Sequence, residues 1–142
     1  MRTVKQLLDA KGNNVWSIGP DASVYDAIAY MSEKGVGALV VLETGELIGI
    51  ISERDYARKV ILAGRASKET SVRAIMSTEV IRASPSLGVE ACLTLMTENR
   101  VRHLPVLDDG RLVGVLSIGD LVKSIIEEQR HLIEQLEQYI SG

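Results

Sequence analysis

Phenylalanine is absent from this chain of 142 residues, and Trp16 is its one tryptophan. With four tyrosines the aromatic share is 4%, so the core must be aliphatic. Cys92 is the single cysteine, which excludes an internal disulfide and a Cys-rich metal site. An excess of positive charge is also missing: 16 Lys+Arg against 19 Asp+Glu leave 16 − 19 = −3. That balance weighs against nucleic acid as a partner, which calls for a basic face. The longest apolar runs are strand-sized, so no membrane span is expected. The opening MRTVKQLLDAKG lacks the apolar stretch of a secretory signal. Together with the unpaired Cys92, these absences predict a cytoplasmic protein. What remains, 46% apolar and 25% charged residues, suits a folded globular chain with a sizeable core.

The strongest positive feature is an internal duplication. Residues 15–61 align without a gap on residues 80–126, at a constant offset of 65. Identities run along the whole alignment, among them Pro20/Pro85, Met31/Met96, Gly45/Gly110, Gly49/Gly114, Ser52/Ser117 and Asp55/Asp120. Chance at this composition gives only about three. Two copies do not make a solenoid; they predict two similar units about a pseudo-two-fold axis.

Each copy reads alike. A short helix is expected at Val4–Leu8 and at Val72–Met76, then a short strand at Val15–Ile18 and Val80–Ala83. Pro20 and Pro85 precede amphipathic helices, with Val24, Ala27, Ile28 and Met31 on one face and Val89, Cys92, Leu93 and Met96 on the other copy's. Ser23 and Asp26 form a capping box in the first; Gly88 is a weaker cap in the second. Ala38–Leu42 and His103–Leu107 are strands covered on both faces. Tight turns at 43–46 and 108–111 lead into return strands Leu47–Ile51 and Leu112–Leu116. A last helix starts near Glu53 and near Ile118. The predicted fold is therefore α+β (layered α/β), with two β-α-β-β-α repeats. The expected divisions are 1–66 for the first repeat with its N-terminal helix, 67–126 for the second, and 127–142 for a helical extension. Val122, Ile125, Ile126, Leu132, Ile133, Leu136 and Ile140 form a stripe on the final helix, interrupted by Gln129. That stripe is longer than the first repeat needs and is expected to pack on something else.

Gly-Ile-Ile-Ser-Glu-Arg-Asp (49–55) and Gly-Val-Leu-Ser-Ile-Gly-Asp (114–120) resemble the Gly-hydrophobic-x-Ser/Thr-x-x-Asp signature of CBS domains. Arg-His-Leu-Pro-Val (102–106) resembles that family's second strand. Over nearly its whole length the chain resembles a tandem CBS pair, a Bateman module, standing alone. The resemblance implies a regulatory, signal-transducing module that binds an adenosine-containing nucleotide in clefts between the repeats. AMP leads; ADP, ATP, NAD and S-adenosylmethionine share the same adenosine handle. A ligand-independent protein-interaction module is the alternative. The resemblance also implies a homodimer formed through surplus apolar helix surface, and a regulated protein partner whose identity stays open.

The chemistry suits the signature. Asp55 and Asp120 can accept hydrogen bonds from vicinal ribose hydroxyls, and Ser52 and Ser117 lie just before a helix turn favourable to anions. Ser-x-x-Asp is equally a helix cap. Capping alone does not call for Gly49 and Gly114, whereas a ligand close to the backbone does. By resemblance, one cleft is expected to group Ser52, Glu53, Arg54 and Asp55 with Arg73, Ile81, Arg82, Arg102 and His103. The other groups Ser117, Ile118, Gly119 and Asp120 with Lys11, Trp16, Gly37 and Ala38. The first would be the cationic, phosphate-preferring site, unless its arginines pair with surface acids. Trp16 is either a base contact or a core residue, and His131 reads as solvated or interfacial. Gly35-Val-Gly37 leads into a strand and lacks a third glycine, so it is no dinucleotide loop. No Walker loop, zinc-protease motif or nucleophile elbow is present, so neither catalysis, a catalytic cofactor nor a metal is expected.

Overall fold

The computed structural model describes residues 2–141. The chain divides into two compact units, one made of residues 15–80 and one of residues 1–14 with 81–142.

In the unit of residues 15–80, β1 (Ser17–Ile18), α2 (Val24–Lys34), β2 (Ala38–Glu43), β3 (Glu46–Ser52) and α3 (Glu53–Tyr56) follow one another. The helix continues as a π-helical turn over Ala57–Ile61, and α4 (Val72–Ile75) completes the unit. β1 pairs parallel to β2, with Ser17 opposite Val40, and β2 pairs antiparallel to β3. Strand alternation fails at Ala38–Val41, where every side chain is buried, as expected for a strand covered on both faces. Val24, Ala27 and Met31 bring the apolar stripe of α2 onto Leu39, Val41 and Ile51. Ser23 Oγ accepts from Asp26 N, which makes half of the expected capping box.

The other unit repeats this plan with α1 (Val4–Lys11) supplied from the chain's start. It then has α5 (Val89–Asn99), β4 (His103–Asp108), β5 (Arg111–Ser117) and α6 (Ile118–Ser141). Val89, Cys92 and Met96 pack with Leu104, Val106 and Leu116. Burial pushes the Cys92 thiol pKa up, consistent with a core role. Both hairpins shift register at the same place, skipping Ile48 between Val41 and Leu42 partners and Val113 between Val106 and Leu107 partners.

One sequence expectation is corrected. Val80–Ala83 is no strand: it holds one isolated parallel bridge, Ala83 to Val106. Ala83 N donates to Pro105 O and Leu107 N donates to Ala83 O. Extending that ladder towards Ile81 requires an N–H at residue 105, and Pro105 has none. Val40 holds the matching place in the first repeat, and β1 forms there. The compact units cross the boundaries of the sequence repeats at 1–66 and 67–126. Each short helix belongs with the other repeat's strands: Thr3 bridges to Gly88, and Ser71 bridges to Ser23. Val4 N donates to Leu87 O and Val72 N to Ala22 O, so the same backbone seam is built twice. The helical extension expected from residue 127 is continuous with the last helix, and α6 runs unbroken from Ile118 to Ser141.

Candidate functional site: two capped carboxylates and their lysines

Ser52 and Asp55 form a reciprocal capping box at the start of α3. Ser52 Oγ accepts from Asp55 N at 3.2 Å, and Asp55 Oδ2 accepts from Ser52 N at 2.9 Å. The duplicate does the same at α6: Asp120 N donates to Ser117 Oγ at 3.2 Å, and Ser117 N donates to Asp120 Oδ2 at 2.8 Å. Capping therefore accounts for both Ser-x-x-Asp motifs, and it holds each half-buried carboxylate in one orientation.

Each carboxylate also carries a lysine, from a different source. Asp55 Oδ1 lies 3.2 Å from Lys59 Nζ, one turn along its own helix, and Lys59 donates to Ile75 O at 2.9 Å. Asp120 Oδ2 lies 2.6 Å from Lys11 Nζ, the last residue of α1, and Lys11 donates to Val115 O at 2.7 Å. At the offset of 65, Lys59 corresponds to Ser124, whose buried hydroxyl has no hydrogen-bond partner among the described residues. Burial pushes the Asp120 pKa up. The Lys11 hydrogen bond, the Ser117 backbone N–H and the Lys11 charge outweigh it, and the net shift is down.

The hairpin register settles which neighbours each carboxylate has within its unit. Antiparallel pairing sets the first residue of one strand against the last of the next. Ala38 faces Ser52, and His103 faces Ser117. Glu53 N donates to Gly37 O, and Ile118 N donates to Arg102 O. Thus Gly37 and Ala38, expected with Asp120, adjoin the start of the Asp55 helix. Arg102 and His103, expected with Asp55, adjoin the start of the Asp120 helix. Lys11 meets Asp120, the pair grouped in the sequence. The cations Lys11 and Arg102 are therefore gathered with His103 in the unit that holds Asp120. Burial lowers the His103 pKa first, with the Lys11 and Arg102 charges adding to it and Asp120 opposing.

Other expected site residues are placed as follows. Arg73 ion-pairs with Glu43 and with Asp21, which raises its pKa through the Glu43 hydrogen bond and charge. Glu43 lies at the turn of the β2–β3 hairpin, opposite Glu46. From there to Ser52, six residues on, the strand rises about 20 Å. Arg73 is thereby removed from the Asp55 group; its fate is pairing with surface acids. Glu53, Arg54, Arg82, Ile118 and Gly119 are exposed, and Ile81 packs partly against the core of its unit. Trp16 also packs against its core, edge-on to Tyr30 at 6.4 Å, with Lys34 Nζ 4.6 Å from its ring centroid. Lys34, absent from the sequence reading of Trp16, covers one ring face.

The glycines before each serine have a different cause from the one expected. A Cβ on Gly49 would stand 2.7 Å from Met76 Sδ and 2.9 Å from Ser77 O; one on Gly114 would stand 2.6 Å from Leu8 Cδ2. Each glycine admits the short helix packed on its strand, not a ligand. The missed signal was a second pairing, Val4–Leu8 against Val72–Met76, at an offset of 68 instead of 65.

The CBS domain family model matches residues 4–61 and again 72–127. The mitochondrial CBS domain-containing protein CBSX3 of Arabidopsis thaliana is 42% identical, over 99% of this chain and 72% of its own length. The CBS domain-containing protein YhcV of Bacillus subtilis is 34% identical, over 80% of each chain. A solved protein with CBS domains from Burkholderia ambifaria, assigned provisionally to signal transduction, superposes with a TM-score of 0.88 at 50% identity, covering 90% of this chain and 96% of its own. The duplicated hairpins, caps and short-helix seams thus coincide with two family matches, and the chain belongs to the CBS-domain family as a tandem pair.

Proposed function

We propose that this chain is a regulatory module that binds an adenosine-containing nucleotide, AMP first, and performs no catalysis itself. The observation that carries this reading is the pair of oriented carboxylates, Asp55 and Asp120, each fixed by its serine and balanced by a lysine. Such a carboxylate is a ready acceptor for a ribose diol. In the Asp120 unit the adjacent Lys11, Arg102 and His103 suit a phosphate, with arginine offering a planar fork. This moves the expected phosphate preference from Asp55 to Asp120. ADP, ATP, NAD and S-adenosylmethionine remain within the ligand class. The reading includes a homodimer, an unidentified regulated protein partner and a cytoplasmic setting. No helix among the described residues is long and apolar enough to cross a membrane.

Calorimetric titration of AMP and adenosine tests it. Wild type should bind AMP, and Asp55→Asn and Asp120→Asn should each weaken binding by roughly 1–3 kcal/mol, the cost of an unmade buried hydrogen bond. Arg102→Ala should erase most of the AMP-over-adenosine preference. No binding of any adenine nucleotide to wild type, with partner regulation intact, would instead support the ligand-independent interaction module.

A further inference from the structure

From residue 129 to residue 141 every residue of α6 is exposed, so the rest of the chain does not pack over this stretch. A helical stretch of this length is marginal in water by itself. Its sequence is nevertheless patterned for burial. Ile126, Ile133 and Ile140 recur every seven residues; Val122, Gln129 and Leu136 recur in step, four residues before each. These are the a and d positions of a heptad, with Ile125, Leu132 and Tyr139 flanking them at g. Val122, Ile126, Leu132, Ile133, Leu136 and Ile140 are between 44% and 83% exposed. The charges are Lys123 and Arg130 against Glu127, Glu128, Glu134 and Glu137, or 2 − 4 = −2, the wrong sign for an anionic lipid surface.

We propose that the exposed stripe of α6 pairs with the α6 of a second copy as a short antiparallel coiled coil. This refines the homodimer reading by naming the surface and its direction. In an antiparallel pair each a residue faces a d residue of the partner. One register satisfies all three layers: Ile126 on the second copy's Leu136, Ile133 on its Gln129, and Ile140 on its Val122. The two-fold axis then passes at the height of residue 131. At the flanking e positions this register brings Lys123 of one copy within two residues of the level of Glu137 of the other, twice per dimer, and sets Arg130 against its own counterpart once, beside the axis. Parallel pairing sets these e residues against the apolar g residues Ile118 and Leu132 and forms neither ion pair. Gln129 in the seam costs stability and restricts register.

Single-cysteine variants treated with a short bismaleimide read the geometry, since Cys92 is buried and wild type serves as the control. Leu132→Cys, beside the axis, should link into a dimer. Ile140→Cys should not, because the two copies of that residue lie about 27 Å apart at 1.5 Å per residue. Lys123→Glu and Glu137→Lys should each lower Leu132→Cys linkage several-fold, and the double charge swap should restore it. Efficient linkage through Ile140→Cys, or loss without restoration in the swap, overturns the antiparallel pair. A dimer by light scattering with no linkage through Leu132→Cys overturns the α6 seam and leaves the homodimer standing. A monomer overturns both. Binding to anionic vesicles that abolishes linkage identifies a lipid surface instead.

Discussion

Lys11 and Asp120 are separated by 109 residues and joined at 2.6 Å, whereas Asp55 in the duplicate takes its lysine from four residues along its own helix. The duplication has therefore kept the neutralised carboxylate but not the position of the neutralising group. Glu79 holds the place of Lys11 at the offset of 68 that relates the short helices, and Ser124 holds the place of Lys59. The Lys11 pair fastens α1 to the junction of β5 and α6, joining chain segments that are otherwise far apart.

Lys11→Met should cost about 0.2–1 kcal/mol at pH 7, the range for a pair this exposed. The folded pKa of Asp120 lies below its unfolded value. Its contribution is thus present above the unfolded pKa of about 3.9 and fades as pH falls through the folded value. Urea melts of wild type and Lys11→Met should differ at pH 7 and converge below about pH 4. A constant difference down to pH 3 would locate the effect in the lysine's packing instead.

Gly49→Ala and Gly114→Ala should both destabilise, and unequally. The Cβ at residue 114 meets only the branched end of Leu8, which can swing; at residue 49 it also meets the backbone oxygen of Ser77. That oxygen lies on the segment hydrogen-bonded to Ile50. Overpacking of this kind costs about 1–3 kcal/mol, with Gly49→Ala at the upper end. Shortening Leu8 to Val should recover part of the Gly114→Ala loss, as read by the chemical-denaturation midpoint.

Both hairpin turns have two central residues with positive φ: Thr44 (49°) with Gly45, and Asp109 (52°) with Gly110. This is the requirement of a type I′ turn. Thr44 is β-branched and poorly suited to the left-handed region, where asparagine is tolerated. Thr44→Asn should raise stability by about 1 kcal/mol, and Asp109→Asn should change it by only a few tenths. A thermal melt of each variant checks the contrast.

Most of the fold was legible because each repeat has its own local signals. The proline before each amphipathic helix, the Gly-containing turns and the aliphatic strands recur at one offset. Val80–Ala83 defeated this logic because the decisive residue, Pro105, lies in another strand and acts by withholding a donor. The exchange of short helices was missed for a related reason: α1 and α4 obey a different offset from the repeats they precede. Within each unit the neighbours of Asp55 and Asp120 follow from hairpin register, which was available once Ala38–Leu42 and Leu47–Ile51 were paired. Lys59 and Lys34 carried no motif. Their parts, as carboxylate partner and as cover for Trp16, come from helical spacing and packing that only coordinates reveal.

The last expectation concerns His103. Burial, helped by Lys11 and Arg102, sets its folded pKa below the ordinary 6.5. A histidine that binds its proton less readily when folded contributes stability above the unfolded pKa, and loses it as pH falls through 6.5 towards the folded value. Between pH 7 and pH 5, wild type should therefore lose stability more steeply than His103→Gln. A phosphate beside Lys11 and Arg102 reverses the local field and favours the imidazolium. AMP binding to wild type should then take up more protons than AMP binding to His103→Gln, so lowering the pH from 7.5 to 6 should favour wild type over the variant, whereas adenosine should show no such difference. Calorimetry of AMP in two buffers of different ionisation enthalpy reads the proton uptake directly. Both proteins share the titration of the AMP phosphate, whose second pKa is about 6, so the difference between them isolates His103. Equal uptake in wild type and variant would separate the phosphate from His103 and assign the proton to another group.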